Sequence, residues 1–394
     1  MSATRGLTWL LTVQAILTSD NHLDPTAINF GTARIERKKD HTKAFEEVVQ
    51  YARKNKPDLF LISGDLFDQI RPGNWIRALL MENLKALHDS GIKIFMVSGE
   101  HDTPKSIEEG VSPLSLYDSA GYAVYFENPA RPLPITVNIE GKQVNIFGVG
   151  LNPFWSPTED PLLKAPIKTL DGINILLTHY PIEGFSGYRG EQASIRLNSI
   201  PQSFSLVASG HFHNFQKKKV GRTTIVYPGS TERASFAEEK EEKGFVWAEI
   251  KDDGEISTEF VRTRARPFRT LELQFPEEGD TNSLLEEQIG RVSDKELVLR
   301  VRLGGRITAD RLATYRRPQI LLFAQGRFFH CSIEEDFSIE AREAIAALAR
   351  TTPLTELRRF IDGLVSSTED EAERQVLREA LQLSESRLRE AGAW

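Results

Sequence analysis

Hydrophobic positions in the first part of the chain follow two alternating patterns. Apolar runs at 13–18, 59–63 and 92–97 read as strands buried on both faces. Between them, apolar residues recur at helical spacing: Phe45, Val48, Val49 and Ala52 within 41–54, and Trp75, Ile76, Leu79, Leu80, Leu84 and Leu87 within 74–90. Lys56-Pro57-Asp58 stops the first helix, Arg71-Pro72-Gly73 opens the second and Gly91 ends it. Residues 34–39, carrying Arg34, Arg37, Lys38 and Lys39, read as a polar loop before the first helix. Strand, helix, strand units of this kind imply a parallel sheet and an α/β fold.

From Tyr122 the pattern changes to short strands and turns, at 123–126, 135–139 and 144–148, and a second sheet is expected to begin there. Buried strands follow at 173–177 and 204–208, then hairpins around Gly221-Arg222 and Asp252-Asp253-Gly254. A composition change at Arg266-Pro267-Phe268 closes a first domain spanning 1–265. Residues 266–338 read as a small α+β module with strands at 271–275 and 296–303, a helix at 283–292 and a strand-like run at 320–329. The remainder, 339–394, reads as helical, broken at Thr351-Thr352-Pro353 and Ser366-Ser367-Thr368.

Composition narrows the function classes. A chain of 394 residues with a net charge of −7 does not coat nucleic acid through bulk electrostatics, so a polyanion must meet local basic strips. Lys217-Lys218-Lys219 and Arg262, Arg264, Arg266 and Arg269 are the candidates, and the ordinary reading of such runs is solvated surface. The lone Cys331 excludes an internal disulfide framework and suits a reducing cytoplasm. Arg5 and the apolar run at 7–17 resemble a signal peptide but lack a small-residue cleavage site, so they read as an arm and the first strand. No apolar run is long enough to span a bilayer, and no membrane partner is expected.

The chemistry sits where the strands end. Open α/β sheets bind ligands beyond the carboxyl ends of their strands. There the chain places Ser19-Asp20-Asn21-His22, Ser63-Gly64-Asp65, Ser98-Gly99-Glu100-His101-Asp102, Thr178-His179 and Ser209-Gly210-His211-Phe212-His213. Five of the eight histidines lie at these ends, which a set of ordinary core histidines does not explain. His41, His88 and His330, outside any motif, take that ordinary reading. Three carboxylates, Asp20, Asp65 and Glu100, with the imidazoles His22, His179, His211 and His213, form a mixed oxygen and nitrogen set fitting two divalent ions. Two such ions ~3.5–4 Å apart suit hydrolysis of a phosphate ester by in-line displacement, leaving His101 as a general acid.

These ordered motifs resemble those of the calcineurin-like metallophosphoesterases. Within that superfamily, the segment from Asp40 to Val49 before Gly64-Asp65-Leu66-Phe67-Asp68, and Tyr227-Pro228-Gly229-Ser230-Thr231-Glu232-Arg233 before Lys243-Gly244-Phe245, resemble the SbcD-type DNA repair nucleases. The resemblance implies a two-sheet sandwich flanked by helices, with a small α+β capping domain and a C-terminal helical tail. It implies Asp20, His22 and His213 on one Mn²⁺, with Mg²⁺ as a substitute, and His179 and His211 on the other. Asp65 would bridge, Glu100 would complete the second ion's shell, and His101, steadied by Asp102, would serve the departing oxygen. The family has asparagine where this chain has Glu100. It further implies DNA exonuclease and endonuclease activity in double-strand-break repair. The stripe of Trp75, Ile76, Leu79 and Leu80 reads most simply as core packing, and the tail with Val376, Leu377, Leu381 and Leu388 as packing on its own domain; the resemblance implies instead a homodimer formed near the stripe and a tail docked on an SbcC-type coiled-coil ATPase. The alternatives are a phosphodiesterase or phosphatase for nucleotides or small esters, and a weakly catalytic DNA-end-binding scaffold.

Overall fold

A computed structural model of the chain describes residues 12–26, 30–186, 194–251, 254–276, 278–339, 353–368 and 370–390. The expected N-terminal arm, the Asp252-Asp253 turn and the start of the tail lie outside these residues. The chain divides into two compact units, 1–269 with 296–298, and 270–295 with 299–394.

The first unit holds two six-stranded sheets. In chain order its strands are β1 (Val13–Thr18), β2 (Leu59–Ser63), β3 (Lys93–Val97), β4 (Val124–Tyr125), β5 (Ile135–Ile139), β6 (Lys142–Val149), β7 (Ile173–Thr178), β8 (Leu206–Ser209), β9 (Gln216–Val220), β10 (Thr223–Tyr227), β11 (Gly244–Ile250) and β12 (Ile256–Arg262). One sheet runs β12-β11-β1-β2-β3-β4 and the other β5-β6-β7-β8-β10-β9. β1 through β4 are mutually parallel, as are β6, β7, β8 and β10. The hairpin partners β5, β9, β11 and β12 pair antiparallel.

Alternation along the strands explains why their sequences are continuously apolar. Leu17, Leu59, Leu61, Phe95 and Val97 point into the layer between the sheets, against Ile146, Ile175, Leu177, Ala208 and Val226. Their neighbours Ile16, Phe60, Ile62, Ile94 and Met96 point outward, under helices α1 (Arg34–Asn55) and α2 (Asn74–Asp89). A third apolar layer, including Phe147, Leu176, Phe204, Val207 and Ile225, covers the other face of the second sheet. Both sheets are therefore covered on both faces, and the strand ends are the polar exception.

Two expectations fail locally. Residues 34–39 are helical: α1 starts at Arg34, and its first turns bury Arg37, Asp40 and His41 instead of apolar residues. Arg37 donates to Asp40 (3.0 Å) and Glu232 (3.3 Å), and Arg266 also binds Asp40 (2.6 Å), so this stretch is fixed by ion pairs that hydrophobic periodicity does not register. In the second unit, 320–329 is not one strand. Arg317–Ala324 is a helix with Pro318 in its first turn and Ile320 and Ala324 buried one turn apart.

By itself, the second unit contains the three-stranded sheet β13-β14-β15, from Phe268–Gln274, Asp294–Ile307 and Phe328–Ile339. Leu299, Val301, Leu303, Leu285, Ile289 and Ile320 are buried in it. Its last strand extends to Ile339, the first residue of the stretch expected to be helical. Two further helices, Pro353–Ser367 and Glu371–Glu390, are joined by an Arg358–Glu385 ion pair. No helix among the described residues is long and apolar enough to cross a membrane.

Candidate metal centre

The loops leaving β1, β2, β3, β7 and β8 carry the nine site residues expected from the sequence. Backbone bonds lock the first two loops together: Asp20 N to Gly64 O (3.1 Å), His22 N to Asp65 O (3.1 Å) and Leu23 N to Leu66 O (2.9 Å). Asp20, His22, Asp65 and His211 all adopt left-handed backbone, with φ of 49°, 45°, 47° and 91°. Non-glycine residues seldom do so, and each costs of order 1 kcal/mol that the surrounding bonds must offset. These turns throw four side chains toward one point. Two glycines leave the room: a Cβ on Gly64 would strike the His179 ring, and one on Gly99 would strike the Asp65 carboxylate.

Donor atoms converge in overlapping groups. Asp20, His22 and His213 offer ligand atoms within 4.8 Å of one another, and so do Asp20, Asp65 and His179. The Nε2 atoms of His22 and His213 stand 3.1 Å apart. That is the spacing of two donors on one ion, since ligands bound at ~2.1 Å and at right angles are ~3 Å apart. His179 Nε2 is buried without a hydrogen bond, 3.3 Å from Asp65 Oδ2 and 3.9 Å from Asp20 Oδ1. A buried polar atom left in that state costs about 1–3 kcal/mol. A cation among these donors removes the cost, so the residues present fit divalent metal.

The other ring nitrogens are held by the protein. His179 Nδ1 donates to Ser63 O (2.8 Å) and His213 Nδ1 to Glu238 Oε1 (2.9 Å), which fixes the tautomers with Nε2 toward the cluster. Glu238 is in turn bound by buried Lys243 (2.6 Å). Burial opposes the Glu238 charge, but His213 and Lys243 outweigh it and hold the carboxyl down at about 2. His22 Nδ1 faces Asp68 Oδ1 at 3.2 Å, and Asp20 accepts from His211 N at 3.0 Å.

The negative charge shows in the histidines. Burial alone disfavours the His22 cation, yet the Asp68 bond and the carboxylates of Asp65 and Asp20 push it up to about 9. His179, equally buried, is pushed up to about 10 by Asp65 and Asp20. Asp65 is driven well below the usual carboxylate range despite its burial, chiefly by His179. So dense a set of carboxylates and imidazoles is built for cations.

Glu100 and His101 lie at the mouth. The Glu100 carboxylate sits 3.4 Å from His211 Nδ1, whose hydrogen bond holds it down at about 2. It also shares a 4.8 Å cluster with Asp65 and His101. His101 is half exposed, with its Nδ1 donating to Asp68 O (3.0 Å). The expectation that Asp102 steadies this ring is corrected by the structure. Asp102 is fully buried and accepts from the backbone N–H groups of Gly99 (2.6 Å), Leu66 (2.9 Å) and Phe67 (3.4 Å), so it braces the loops beneath the site. Burial, then repulsion from Asp65, raises its carboxyl above the usual range. Asp68 faces His101 instead.

Sequence reading gave Asp68 no role although it stands three residues after Asp65, and it missed Glu238 and Lys243, whose distance in the chain hides them. Three of the four candidate arginines are engaged by carboxylates. Arg264 pairs with Glu47 (2.9 Å), Arg266 with Asp40 and Glu296 (2.8 Å), and Arg262 with Glu242. Lys217, Lys218 and Lys219 are exposed on edge strand β9. Among the unassigned histidines, His41 is buried against Asn21 O (3.2 Å), His330 is half buried, and His88 is exposed on α2 instead of being a core residue.

Comparison with known proteins agrees with this geometry. A family model described as calcineurin-like phosphoesterase matches residues 14–215. The DNA double-strand break repair protein Mre11 of Thermoplasma acidophilum is 28% identical over 296 residues, 71% of this chain and 72% of that one. Its namesake from Methanocaldococcus jannaschii is also 28% identical, over 71% of this chain and 74% of its own. A component of the nuclease SbcCD from Staphylococcus epidermidis is 26% identical over 64% of this chain and 69% of its own. With five strand ends gathering carboxylates and imidazoles around one point, the chain belongs to the calcineurin-like phosphoesterase family, enzymes that hydrolyse phosphate esters with divalent metals.

Proposed function

We propose that this protein is a Mn²⁺-dependent DNA nuclease that acts in double-strand-break repair, cutting phosphodiester bonds at the centre formed by Asp20, His22, Asp65, Glu100, His179, His211 and His213. The observation that carries the metal assignment is the 3.1 Å approach of two imidazole Nε2 atoms beside Asp20. The DNA assignment is supported by relatives that match about 71% of the chain, more than the phosphoesterase domain alone, and are named for break repair.

In this reading His22, His213 and Asp20 would hold one ion, His179, His211 and Glu100 would hold the other, and Asp65 would serve both. Bound divalent ions neutralise phosphoryl charge and lower the pKa of the attacking water. Asp68 orients His22 and His101 at once, through its carboxylate and its carbonyl. That carbonyl holds the His101 Nδ1 proton, so it is the imidazolium form of His101 that would give its Nε2 proton to the departing oxygen while keeping the one on Nδ1. Asp102 keeps the Gly99 turn closed beneath both.

By the same resemblance, the exposed Trp75 face of α2 serves a homodimer. The C-terminal helices, with Phe360, Val376 and Leu383 exposed, serve an SbcC-type coiled-coil ATPase. The test of the activity is degradation of a labelled duplex with Mn²⁺ and with Mg²⁺, run beside hydrolysis of bis-p-nitrophenyl phosphate. Metal-dependent DNA cleavage, faster with Mn²⁺, is expected. Hydrolysis of the small diester alone would show that DNA is not the substrate.

A further inference from the structure

A cavity of about 590 Å³ opens directly beside the metal centre, and Glu100, His179 and His211 form part of its wall. The opposite wall is the loop following β6, with Leu151, Pro153, Phe154 and Trp155. Phe154 is 80% exposed. A large aromatic side chain in that position gains little from the fold, because most of its apolar surface stays in water. The loop nevertheless does not hang free. Leu151 N donates to Ser98 O (3.0 Å), Asn152 N to Tyr180 Oη (2.8 Å), Phe154 N to Asn152 Oδ1 (3.0 Å) and Trp155 N to Asn152 O (3.2 Å). At its far end Asp160 is buried and accepts from Leu162 N, Arg196 N and Ser199 Oγ at 2.9, 2.9 and 2.6 Å. The loop's backbone is thus fixed at the points that carry an exposed phenyl ring and a half-buried indole.

Because Glu100, His179 and His211 belong to both cavity and metal centre, a phosphate held at the centre would have room for its substituent in the cavity. A flat apolar wall with a few polar groups at its rim, in a volume typical of small-ligand sites, suits an aromatic heterocycle. We propose that Phe154 and Trp155 form a stacking subsite for the nucleobase next to the scissile phosphate. This rests on the nuclease reading and refines it: the preferred substrate is a strand whose base at that position has left the helical stack. The base is recognised by its π-face, so the subsite tolerates any sequence.

The test uses single-stranded oligonucleotides with an intact base or an abasic residue on either side of the cleaved phosphate, with the full chain in Mn²⁺. Removing one stacking aromatic lowers affinity by about 5- to 150-fold per base. The wild type should therefore cleave the intact strand with higher kcat/KM than the strand abasic on one side. That ratio should fall by a similar factor in Phe154→Ala and in Trp155→Ala, and survive in Phe154→Tyr. A second readout needs no metal: oligothymidine should quench indole fluorescence of the metal-free protein, and Trp155→Phe should abolish that quench. Equal cleavage of intact and abasic strands by the wild type overturns the subsite while leaving the nuclease reading in place, as does a ratio unmoved by both alanine variants. Failure to cut any oligonucleotide while bis-p-nitrophenyl phosphate is hydrolysed overturns the nuclease reading and the subsite together.

Discussion

Replacing Glu238 by glutamine should weaken the first metal without dismantling the fold. Glu238 Oε1 accepts from His213 Nδ1 at 2.9 Å, and its other oxygen meets Lys243 Nζ at 2.6 Å. The amide is isosteric and its oxygen still accepts from the ring, so orientation persists, but the charge that strengthens the bond and the basicity of Nε2 is gone. Bonds to charged groups are worth ~1.5–3 kcal/mol against ~0.5–1.5 for neutral ones, a difference of about 1–2 kcal/mol. Loss of such a ligand-orienting partner typically lowers metal affinity ~10–100-fold, which is the same range. Lys243 keeps Glu241 (2.7 Å) and His213 O (3.0 Å), but the amide nitrogen replaces the oxygen that accepts from Lys243 and from Ala234 N, so the variant should lose about 1–3 kcal/mol of stability. Calorimetric titration of Mn²⁺ into metal-free Glu238→Gln, folded at the assay temperature, should show one of two sites weakened ~10–100-fold. Equal affinity at both sites, or selective weakening of the site containing His179, would refute the reasoning.

Three further outcomes follow from the same geometry. His101→Ala should retain both metals in a stoichiometry measurement yet slow cleavage by ~10²–10⁴, the usual contribution of a positioned acid, and loss of one metal would make His101 a ligand. In the metal-free chain His22 and His179 stay protonated at pH 7, a contribution to stability complete below the ordinary 6.5 and lost as pH rises through about 9 and 10. Metal binding at pH 7.5 must expel those protons, so binding heats should vary with buffer ionisation enthalpy, and identical heats in Tris and phosphate would contradict it. Glu100→Asn, which removes a carboxylate held down at about 2, should weaken the second metal and speed cleavage by restoring positive field at the phosphate, and an unchanged affinity and rate would remove position 100 from the shell.

Much of the site was legible because a buried strand cannot continue through Asp65 or His179, so glycine and carboxylate at its end announce a change of purpose. The centres of the two sheets were equally readable, since strands such as β1, β2, β7 and β10 are covered on both faces and their runs are mainly apolar. What escaped has a common cause. Glu238, Lys243 and the Arg37–Asp40–Glu232 network act across long sequence separations through polar contacts, which leave no periodic trace. Only the resemblance makes Asp102 a partner of His101, with no contact behind it. In the structure Asp102 turns inward to the N–H groups of Gly99, Leu66 and Phe67 while the His101 ring faces Asp68, so adjacency in the chain is a poor guide to contact there.

The central claim is that one carboxylate, Asp65, joins two ions into a single hydrolytic centre. The most direct measurement is metal content and DNA cleavage of Asp65→Asn beside the wild type in Mn²⁺. Because Asp65 follows a strand whose own burial holds the sheet, the variant should fold, bind metal weakly and leave a labelled duplex intact. A variant that cut the duplex at the parental rate, or kept both ions at parental affinity, would contradict the account.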